Sequence, residues 1–197
     1  MRHFRTDERF EKTKNVLEKR QPTLTVVFEN INDPHNISAA LRSCDAVGVW
    51  EVHLIYHSGQ TLPKFGAKSS ASARKWLYFH KHDSVEKCYA KLREKNMKIY
   101  TTHMQKDSIS LHDLDLTQPV ALVFGNEHDG VSETAVKLAD GNFLIPQVGM
   151  IQSLNISVAC AVSLYEAYRQ RLNSGMYASP QLPSDILPET LEKWLKK

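Results

Sequence analysis

Short runs of β-branched and aromatic residues alternate along the chain with segments of helical periodicity. The apolar runs predict six strands, at Leu24 to Phe28, Val52 to Tyr56, Leu77 to Phe79, Ile99 to Thr102, Val120 to Phe124 and Phe143 to Ile145. The periodic segments predict helices at Ser38 to Val47, Ser84 to Asn96, Glu133 to Ala139 and Ile156 to Leu172. Ser84 and Asn155 are the predicted N-caps. This alternation is typical of an α/β fold whose mainly parallel sheet has helices on both faces.

The two ends of the chain differ from this pattern. Residues 1–22 predict a basic helical extension, and residues 23–172 contain all of the predicted strands. A stretch rich in Ser, Pro and Gly, from Ser174 to Pro188, leads to a short terminal helix. We therefore predict one α/β domain over residues 23–172, with a tail over residues 173–197.

Length and composition favour a single globular domain in a reducing compartment. The chain has 197 residues, of which 42% are hydrophobic. No run of about 20 apolar residues occurs, and the N-terminal segment is charged throughout, so we expect a soluble, cytoplasmic protein without a membrane segment. The three cysteines Cys44, Cys88 and Cys160 form no C-x-x-C pair, and we interpret them as reduced, buried thiols.

The positive charge of the chain is unevenly distributed. Residues 1–20 hold seven Lys or Arg against four acids, which equals the whole net charge of +3. A second segment, Val52 to His82, has no Asp or Glu and carries Lys64, Lys68, Arg74, Lys75 and Lys81. Two basic regions favour a polyanionic partner, whereas an ordinary solvated surface is the alternative for either region alone.

The loop after the first predicted strand runs directly into a helix. Asn36 lies near the start of that helix, where exposed N–H groups attract anions. Arg42 follows about one and a half turns later, within reach of the same strand end. Two roles remain open for each residue, because an isolated Asn at this position is often an N-cap and an isolated Arg is often a surface cation.

Two further loops follow the fifth and sixth predicted strands. The first contains Gly125 and Gly130, which allow positive φ and close approach, with Glu127 between them as an anchor, a base or a partner of a helix dipole. The second is an apolar loop from Ile145 to Asn155, which we expect to be buried or bound to a ligand. The helix after it has many small residues, suited to close helix packing or to a subunit interface.

Two other kinds of site are disfavoured. The first strand is followed by no glycine, so the G-x-G-x-x-G fingerprint of dinucleotide binding is missing. Five histidines are scattered without the ligand spacing of known metal motifs, so we expect no metal: His80, His82, His103, His112 and His128.

Taken together, the three loops resemble the three motifs of the SpoU family of RNA ribose 2′-O-methyltransferases, a branch of the SPOUT superfamily. The first motif is Pro34-His35-Asn36 through Arg42, the second is Phe124 through Gly130, and the third is Ile145-Pro146 through Ser157. The resemblance implies an α/β fold whose C-terminal part forms a deep trefoil knot. It also implies S-adenosylmethionine as methyl donor and an obligate homodimer.

Within the family, the chain is similar to the enzymes that methylate guanosine 18 in the D-loop of tRNA, of the TrmH type. The similarity rests on a basic N-terminal helix followed by Arg20-Gln21-Pro22 and then by Pro34-His35-Asn36. It implies that tRNA is held, mainly through phosphates, by the basic helix and by the segment from Arg169 to Gly175.

The resemblance also assigns roles to single residues. Five belong to the expected catalytic pocket: Asn36, Arg42, Glu127, Ser153 and Asn155. Four are expected to bind the methyl donor: Thr102, Gly125, Ile145 and Leu154. A guanidinium stays protonated in proteins, so we expect Arg42 to hold the phosphate beside the target ribose and to stabilise the forming alkoxide, with proton removal left to that phosphate or to water.

Two other functions remain open from the sequence alone. One is 2′-O-methylation of ribosomal RNA or of another tRNA position, since motifs define the reaction better than the target. The other is a non-catalytic RNA-binding protein, which would have no need for Arg42 and Glu127 together. Binding of S-adenosylmethionine distinguishes the second alternative, and mapping of the methylated nucleotide distinguishes the first.

Overall fold

The computed structural model describes residues 7–57, 73–105 and 107–197. Its helices are α1 (Asp7–Glu18), α2 (Pro34–Ala46), α3 (Val85–Arg93), α4 (Glu133–Leu138), α5 (Ile156–Asn173) and α6 (Ile186–Leu195). Its strands are β1 (Leu24–Glu29), β2 (Glu51–Ile55), β3 (Tyr78–His82), β4 (Lys98–Thr102), β5 (Ile109–Ser110), β6 (Val120–Phe124) and β7 (Gly141–Leu144). Two short 3₁₀ turns cover Ala73–Trp76 and Leu111–Asp113.

All strands belong to one sheet in the order β3-β2-β1-β6-β4-β7-β5, and every pairing is parallel. This confirms the predicted parallel sheet. Strand β1 is buried along its whole length, because it pairs with β2 on one side and β6 on the other and is covered on both faces. The parallel arrangement places the carboxyl ends of neighbouring strands at one edge of the sheet.

Helices cover both faces of the sheet, as predicted. On one face, α2 and α5 pack on a core that includes Leu41, Leu164 and Phe28. On the other, α3 and α4 cover a second core that includes Leu92 and Ala135. Cys44, Cys88 and Cys160 are buried and free, as the sequence predicted. No helix in the described ranges is long and apolar enough to cross a membrane.

Several boundaries differ from the prediction. Helix α2 begins at Pro34 rather than Ser38, because Asp33 accepts the backbone N–H of His35 and proline suits the first helical position. Strand β3 extends to His82, beyond the predicted Phe79, because Tyr78 through His82 all pair with β2 in parallel register although the later residues are polar. The two-residue strand β5 was not predicted. Ser84 and Asn155 are confirmed as N-caps, each accepting a backbone N–H from its helix.

The terminal helices pack against each other. Leu17 of α1, Trp194 of α6 and Trp50 before β2 form a third apolar cluster together with Leu182. The guanidinium of Arg20 lies 5.0 Å from the centre of the Trp194 ring and donates to the carbonyl of Val49. The predicted terminal helix is thus confirmed, and the end of the N-terminal extension is part of the molecular interior.

Candidate active site

A cavity of about 510 Å³ opens at the carboxyl edge of the sheet, beside β4, β6 and β7. Thr102 comes from the end of β4, Gly125 follows β6, and Ile145 follows β7. Leu154 lies just before α5. The four residues expected to bind a methyl donor therefore line one cavity. Its volume is within the range of small-molecule sites.

The loop after β6 is closed by its own backbone. Asn126 and Gly130 exchange two backbone hydrogen bonds of 2.9 Å, and Gly130 has φ of +68°. A Cβ on Gly125 would lie 2.0 Å from the carbonyl carbon of Gly130, so only glycine fits there. The side chain of Asn126 donates to the carbonyl of Asn30, which ties this loop to the end of β1.

Three polar side chains from the three motifs form a hydrogen-bonded chain. The amide of Asn36 donates to Glu127 Oε1 at 2.7 Å, and the amide of Asn155 donates to Asn36 Oδ1 at 3.1 Å. The remaining oxygen of Asn155 accepts the backbone N–H of Ser157 at the start of α5. We call Asn36, Glu127 and Asn155 the motif network. Glu127 and Asn155 also line the cavity, so the network lies at its mouth.

This geometry bears on the alternative roles of Asn36 and Glu127. Asn36 is not the N-cap of α2, because Asp33 has that position. Glu127 lies in the loop after β6, and its carboxylate is an anchor for Asn36. The sequence placed both residues near the right strand ends, and only the fold shows that they touch.

The two other predicted catalytic residues are placed differently. Ser153 is exposed and lines the cavity beside Leu154. Arg42 lies on the exposed side of α2, six residues or about 9 Å along the helix axis from Asn36. It does not line the cavity, and among the described residues it makes no hydrogen bond or ion pair.

Two residues that sequence reasoning missed support this edge of the sheet. Glu29 at the end of β1 is buried and accepts the backbone N–H of Ser132 at 2.9 Å, which fixes the return of the β6 loop into α4. Tyr56 after β2 donates to the carbonyl of Ile31 at 2.7 Å. Burial, and after it the charge of Glu127, raises the pKa of the Tyr56 hydroxyl, which therefore stays protonated. A carboxylate at the end of a fully buried strand was the available signal for Glu29.

Helix α5 has one packed face and one unpacked apolar face. Its small residues Cys160 and Ser163 are buried inside the molecule, so the close packing predicted for them is intramolecular. Val158, Val162 and Tyr165 are spaced by four and three residues, Leu172 follows two turns later on the same side, and all four are exposed. We call these four residues the α5 face. The nearby loop residues Val148 and Met150 are almost fully exposed as well.

The predicted basic surfaces are only partly exposed. Arg9, Lys12 and Lys14 are exposed on α1 and Lys19 is exposed just after it, but Arg20 is buried against Asp45 and Trp194. Of the second basic region, Lys64 and Lys68 lie outside the described residues, whereas Lys81 is exposed on β3.

The segment from Arg169 to Gly175 offers less positive charge than the sequence indicated. Arg169 forms two hydrogen bonds to the carboxylate of Glu166. Arg171 is fully buried, and its guanidinium donates to oxygens of Gln21, Thr23, Leu116 and Gln118. Burial lowers the pKa of Arg171 to about 10, still far above neutral pH. Arg171 is a structural residue whose guanidinium is not available to a phosphate, so within the predicted tRNA-binding segment the exposed cation is Arg169.

Comparison with known proteins agrees with this geometry. Residues 23–165 match the model of the SpoU rRNA Methylase family. The chain is 44% identical over 193 residues to the tRNA (guanosine(18)-2′-O)-methyltransferase of Thermus thermophilus, covering 98% of each chain.

Two solved structures extend the similarity. The A. aeolicus TrmH/SpoU tRNA modifying enzyme matches with a TM-score of 0.89 and 37% identity, over 96% of both chains. The SpoU methyltransferase AviRb from Streptomyces viridochromogenes, in complex with the cofactor AdoMet, matches with a TM-score of 0.69 and 28% identity. That match covers 79% of this chain and 62% of the other.

Proposed function

The chain belongs to the SpoU rRNA Methylase family, and we propose that it transfers a methyl group from S-adenosylmethionine to the 2′-hydroxyl of guanosine 18 in tRNA. The observation that carries the proposal is the motif network. It joins side chains of all three motifs at the mouth of a cavity of cofactor size. The full-length similarity to an enzyme named for guanosine 18 of tRNA supports this target over ribosomal RNA.

The cavity residues fit the parts of S-adenosylmethionine. The side chains of Ile145 and Leu154 offer apolar surface for a flat base, and Gln152 is among the polar residues that line the same cavity. Thr102 uses its hydroxyl to hold the carbonyl of Val123, which keeps β4 and β6 in register where they end. When bound, the cofactor supplies an electrophilic methyl group on a sulfonium.

The chain's own residues are proposed to position the ribose and to accommodate the charge that develops on its oxygen. The motif network holds Asn36 and Asn155 in fixed rotamers, so their orientation costs no reorganisation during the reaction. Arg42 is an exposed cation on α2, six residues after Asn36, and we assign it to the phosphate beside the target ribose. There its permanent charge stabilises the alkoxide, and proton removal falls to that phosphate or to water.

The test is methyl transfer from labelled S-adenosylmethionine to unmodified tRNA transcripts, with the product located by nuclease digestion and mass spectrometry. We expect 2′-O-methylguanosine at position 18, and we expect Arg42→Ala to abolish it. Arg93→Ala is the matched control, because Arg93 is an exposed arginine on α3, which covers the other face of the sheet. Methylation at another nucleotide would change the target, and tRNA binding without transfer would favour the non-catalytic alternative.

We propose that the enzyme is a homodimer that buries the α5 face. Four exposed apolar residues on one side of a helix, next to the exposed Val148 and Met150, are unusual for a monomer in water. Val162→Asp places a charge at the centre of this face, and light scattering after gel filtration should then report a monomer. Lys137→Asp on α4, at an exposed position, is the control and should leave the mass of the dimer unchanged.

We also propose the trefoil knot and the division into residues 1–22, 23–172 and 173–197. The sheet order supports a knotted path, because β6 lies between β1 and β4, and β7 lies between β4 and β5. Pulling the chain from its two ends in a single-molecule experiment tests the knot. A knotted chain extends to less than its full contour length, and an unknotted one reaches it.

The enzyme is proposed to work in the cytoplasm. The three buried thiols agree with a reducing compartment, where disulfides are rare. Fractionation of cells that express the tagged chain measures its location directly.

A further inference from the structure

A cluster of histidines lies on the face of the sheet that α3 covers. Its residues belong to β2 and β3, at the edge of the sheet away from the cavity. Side chains alternate along a strand, so Glu51 and His53 of β2 share one face. His80 of β3 pairs directly with His53 in the parallel register, and their rings stack with centroids 4.7 Å apart. Strand β1 separates these strands from β6 and the cavity.

Three ligand-type atoms converge in this cluster. Glu51 Oε2 lies 3.3 Å from His80 Nε2 and 3.9 Å from His53 Nε2. Both of these nitrogens are shielded from water and have no hydrogen-bond partner among the described residues. A buried polar atom without a partner is costly, and two such nitrogens within 4 Å of one carboxylate oxygen are arranged as ligands of a cation.

We propose that Glu51, His53 and His80 form a binding site for one divalent transition-metal ion, of which Zn²⁺ is the best fit. Zinc takes imidazole nitrogen and carboxylate oxygen at about 2.0–2.2 Å, so tetrahedral ligands lie about 3.4 Å apart. The 3.3 Å between Glu51 Oε2 and His80 Nε2 fits this value, and the 3.9 Å between Glu51 Oε2 and His53 Nε2 requires a shift of about half an ångström. Although the two nitrogens are shielded, the side chains of His80 and Glu51 are partly exposed, so a small shift of these side chains admits the ion and a water molecule that completes its shell.

The orientation of His53 supports this arrangement. Its ring is fully buried, and its Nδ1 lies 2.9 Å from Nε2 of His82. A metal-binding imidazole is usually held by a hydrogen bond from its second nitrogen. This contact engages Nδ1 and leaves Nε2 of His53, 3.9 Å from Glu51 Oε2, available as a ligand atom.

Lys95 occupies the place of the ion in the structure as it stands. Its ammonium group contacts the same Glu51 oxygen that faces the two histidines. The Lys95 side chain is about one third exposed and is free to turn into solvent when a divalent ion binds. Lys95 is therefore a competitor, and removing its charge should tighten metal binding.

The experiment is titration of the chelator-treated, full-length protein with Zn²⁺ by calorimetry and with Co²⁺ by visible absorption. We expect one ion per chain, with the intense visible bands of four-coordinate Co²⁺. His80→Asn and Glu51→Gln should each weaken binding by about tenfold or more, and Lys95→Met should strengthen it several-fold. His112→Asn is the control, since His112 is an exposed histidine remote from the cluster, and circular dichroism verifies that each variant is folded.

Two results would overturn the proposal. One is the absence of stoichiometric binding in the wild-type protein. The other is binding that survives His80→Asn but disappears in Cys88→Ser. That pattern would assign the ion to the second group of potential ligands in this region, formed by His53, His82 and Cys88.

Discussion

At the scale of single residues, Glu127 has two separable properties, its hydrogen bond to Asn36 and its negative charge. Glu127→Gln keeps an oxygen that can accept the Asn36 amide, whereas Glu127→Ala removes the acceptor. If Glu127 acts by holding Asn36, the Ala variant should lose about tenfold to hundredfold in kcat/KM, or about 1.4–2.7 kcal/mol of transition-state stabilisation. The Gln variant should keep most of the activity.

Steady-state kinetics with unmodified tRNA measures both variants. Equal losses in the two variants would show instead that the carboxylate charge itself is required. Binding of S-adenosylmethionine to Asn36→Ala provides a control, because Asn36 does not line the cavity and its loss should leave cofactor affinity almost unchanged.

Gly125 is a position where we expect even one added methyl group to disrupt the loop and the cofactor cavity. A methyl group there would collide with the backbone of Gly130, which cannot move without opening the loop. We expect Gly125→Ala to weaken cofactor binding by at least about tenfold and to cost about 1–3 kcal/mol of stability. Gly149→Ala is the matched control, because no atom lies within 4 Å of its added Cβ and its effect should stay within about 0.5 kcal/mol.

The sequence predicted which residues lie at the carboxyl edge of the sheet, but it did not predict which arginine side chains are buried. Asn36, Glu127 and Asn155 follow strands or begin helices, so their common edge was predictable. Arg20 and Arg171 look like surface cations in the sequence. Their burial depends on carbonyls and side chains contributed by distant segments, which no local pattern reveals.

At the scale of elements, helix α5 has a buried face, an exposed apolar face and a buried glutamate. Its small residues face the core, its larger apolar residues face outward, and Glu166 lies between them. Hydrogen bonds from Arg169, which outweigh the opposing effect of burial, lower the pKa of Glu166 to about 2 from an ordinary value of 4.5. The folded state therefore releases this proton more readily than the unfolded chain does.

The lowered pKa of Glu166 makes the stability of the fold depend on pH. Glu166 stabilises the fold above about pH 4.5, and this contribution is lost as the pH falls toward 2. Denaturant unfolding should find Glu166→Gln less stable than the wild type at pH 7, with the difference shrinking on acidification. Glu133→Gln, in an exposed pair with Lys137, should change stability by less than about 0.5 kcal/mol at pH 7. A Glu166→Gln deficit that persists at pH 2 would contradict this assignment.

Predicted and observed elements differ where local signals are weakest. Helix α2 starts four residues early because Asp33 and Pro34 form a cap that the apolar periodicity does not mark. Strand β5 has two residues, too few for any pattern. The histidine cluster was missed because its signal is an alternation, Glu51-x-His53 and His80-x-His82, that gains meaning only when β2 and β3 pair.

At the scale of the whole molecule, the strand order was beyond sequence reasoning. Periodicity predicts strands and helices, but the insertion of β6 between β1 and β4 depends on long crossovers with no local signature. Resemblance to a family supplied what periodicity lacked. The packing of α1 on α6 likewise joins the two ends of the chain through Leu17 and Trp194, which are 177 positions apart by their numbers.

This packing has a consequence for how tRNA is held. The end of α1 is anchored in the apolar cluster, while Arg9, Lys12 and Lys14 remain exposed and form no ion pair among the described residues. Such side chains can each neutralise a phosphate and release a counterion. The logarithm of the tRNA affinity should therefore fall with the logarithm of salt concentration, and each lost contact should reduce that slope by about 1.

The variant that tests this carries Arg9→Gln, Lys12→Gln and Lys14→Gln, and we expect weaker tRNA binding with a salt slope smaller by up to about 3. Its control carries Lys87→Gln, Lys91→Gln and Lys137→Gln, which remove the same charge from the α3 and α4 side, where each lysine is paired with an acid. An equal change in both would mean that tRNA responds only to net charge. A change confined to the α1 variant would mean that α1 contacts the tRNA backbone. Both variants lose the same charge, so a difference between their salt slopes reports where the tRNA phosphates are bound.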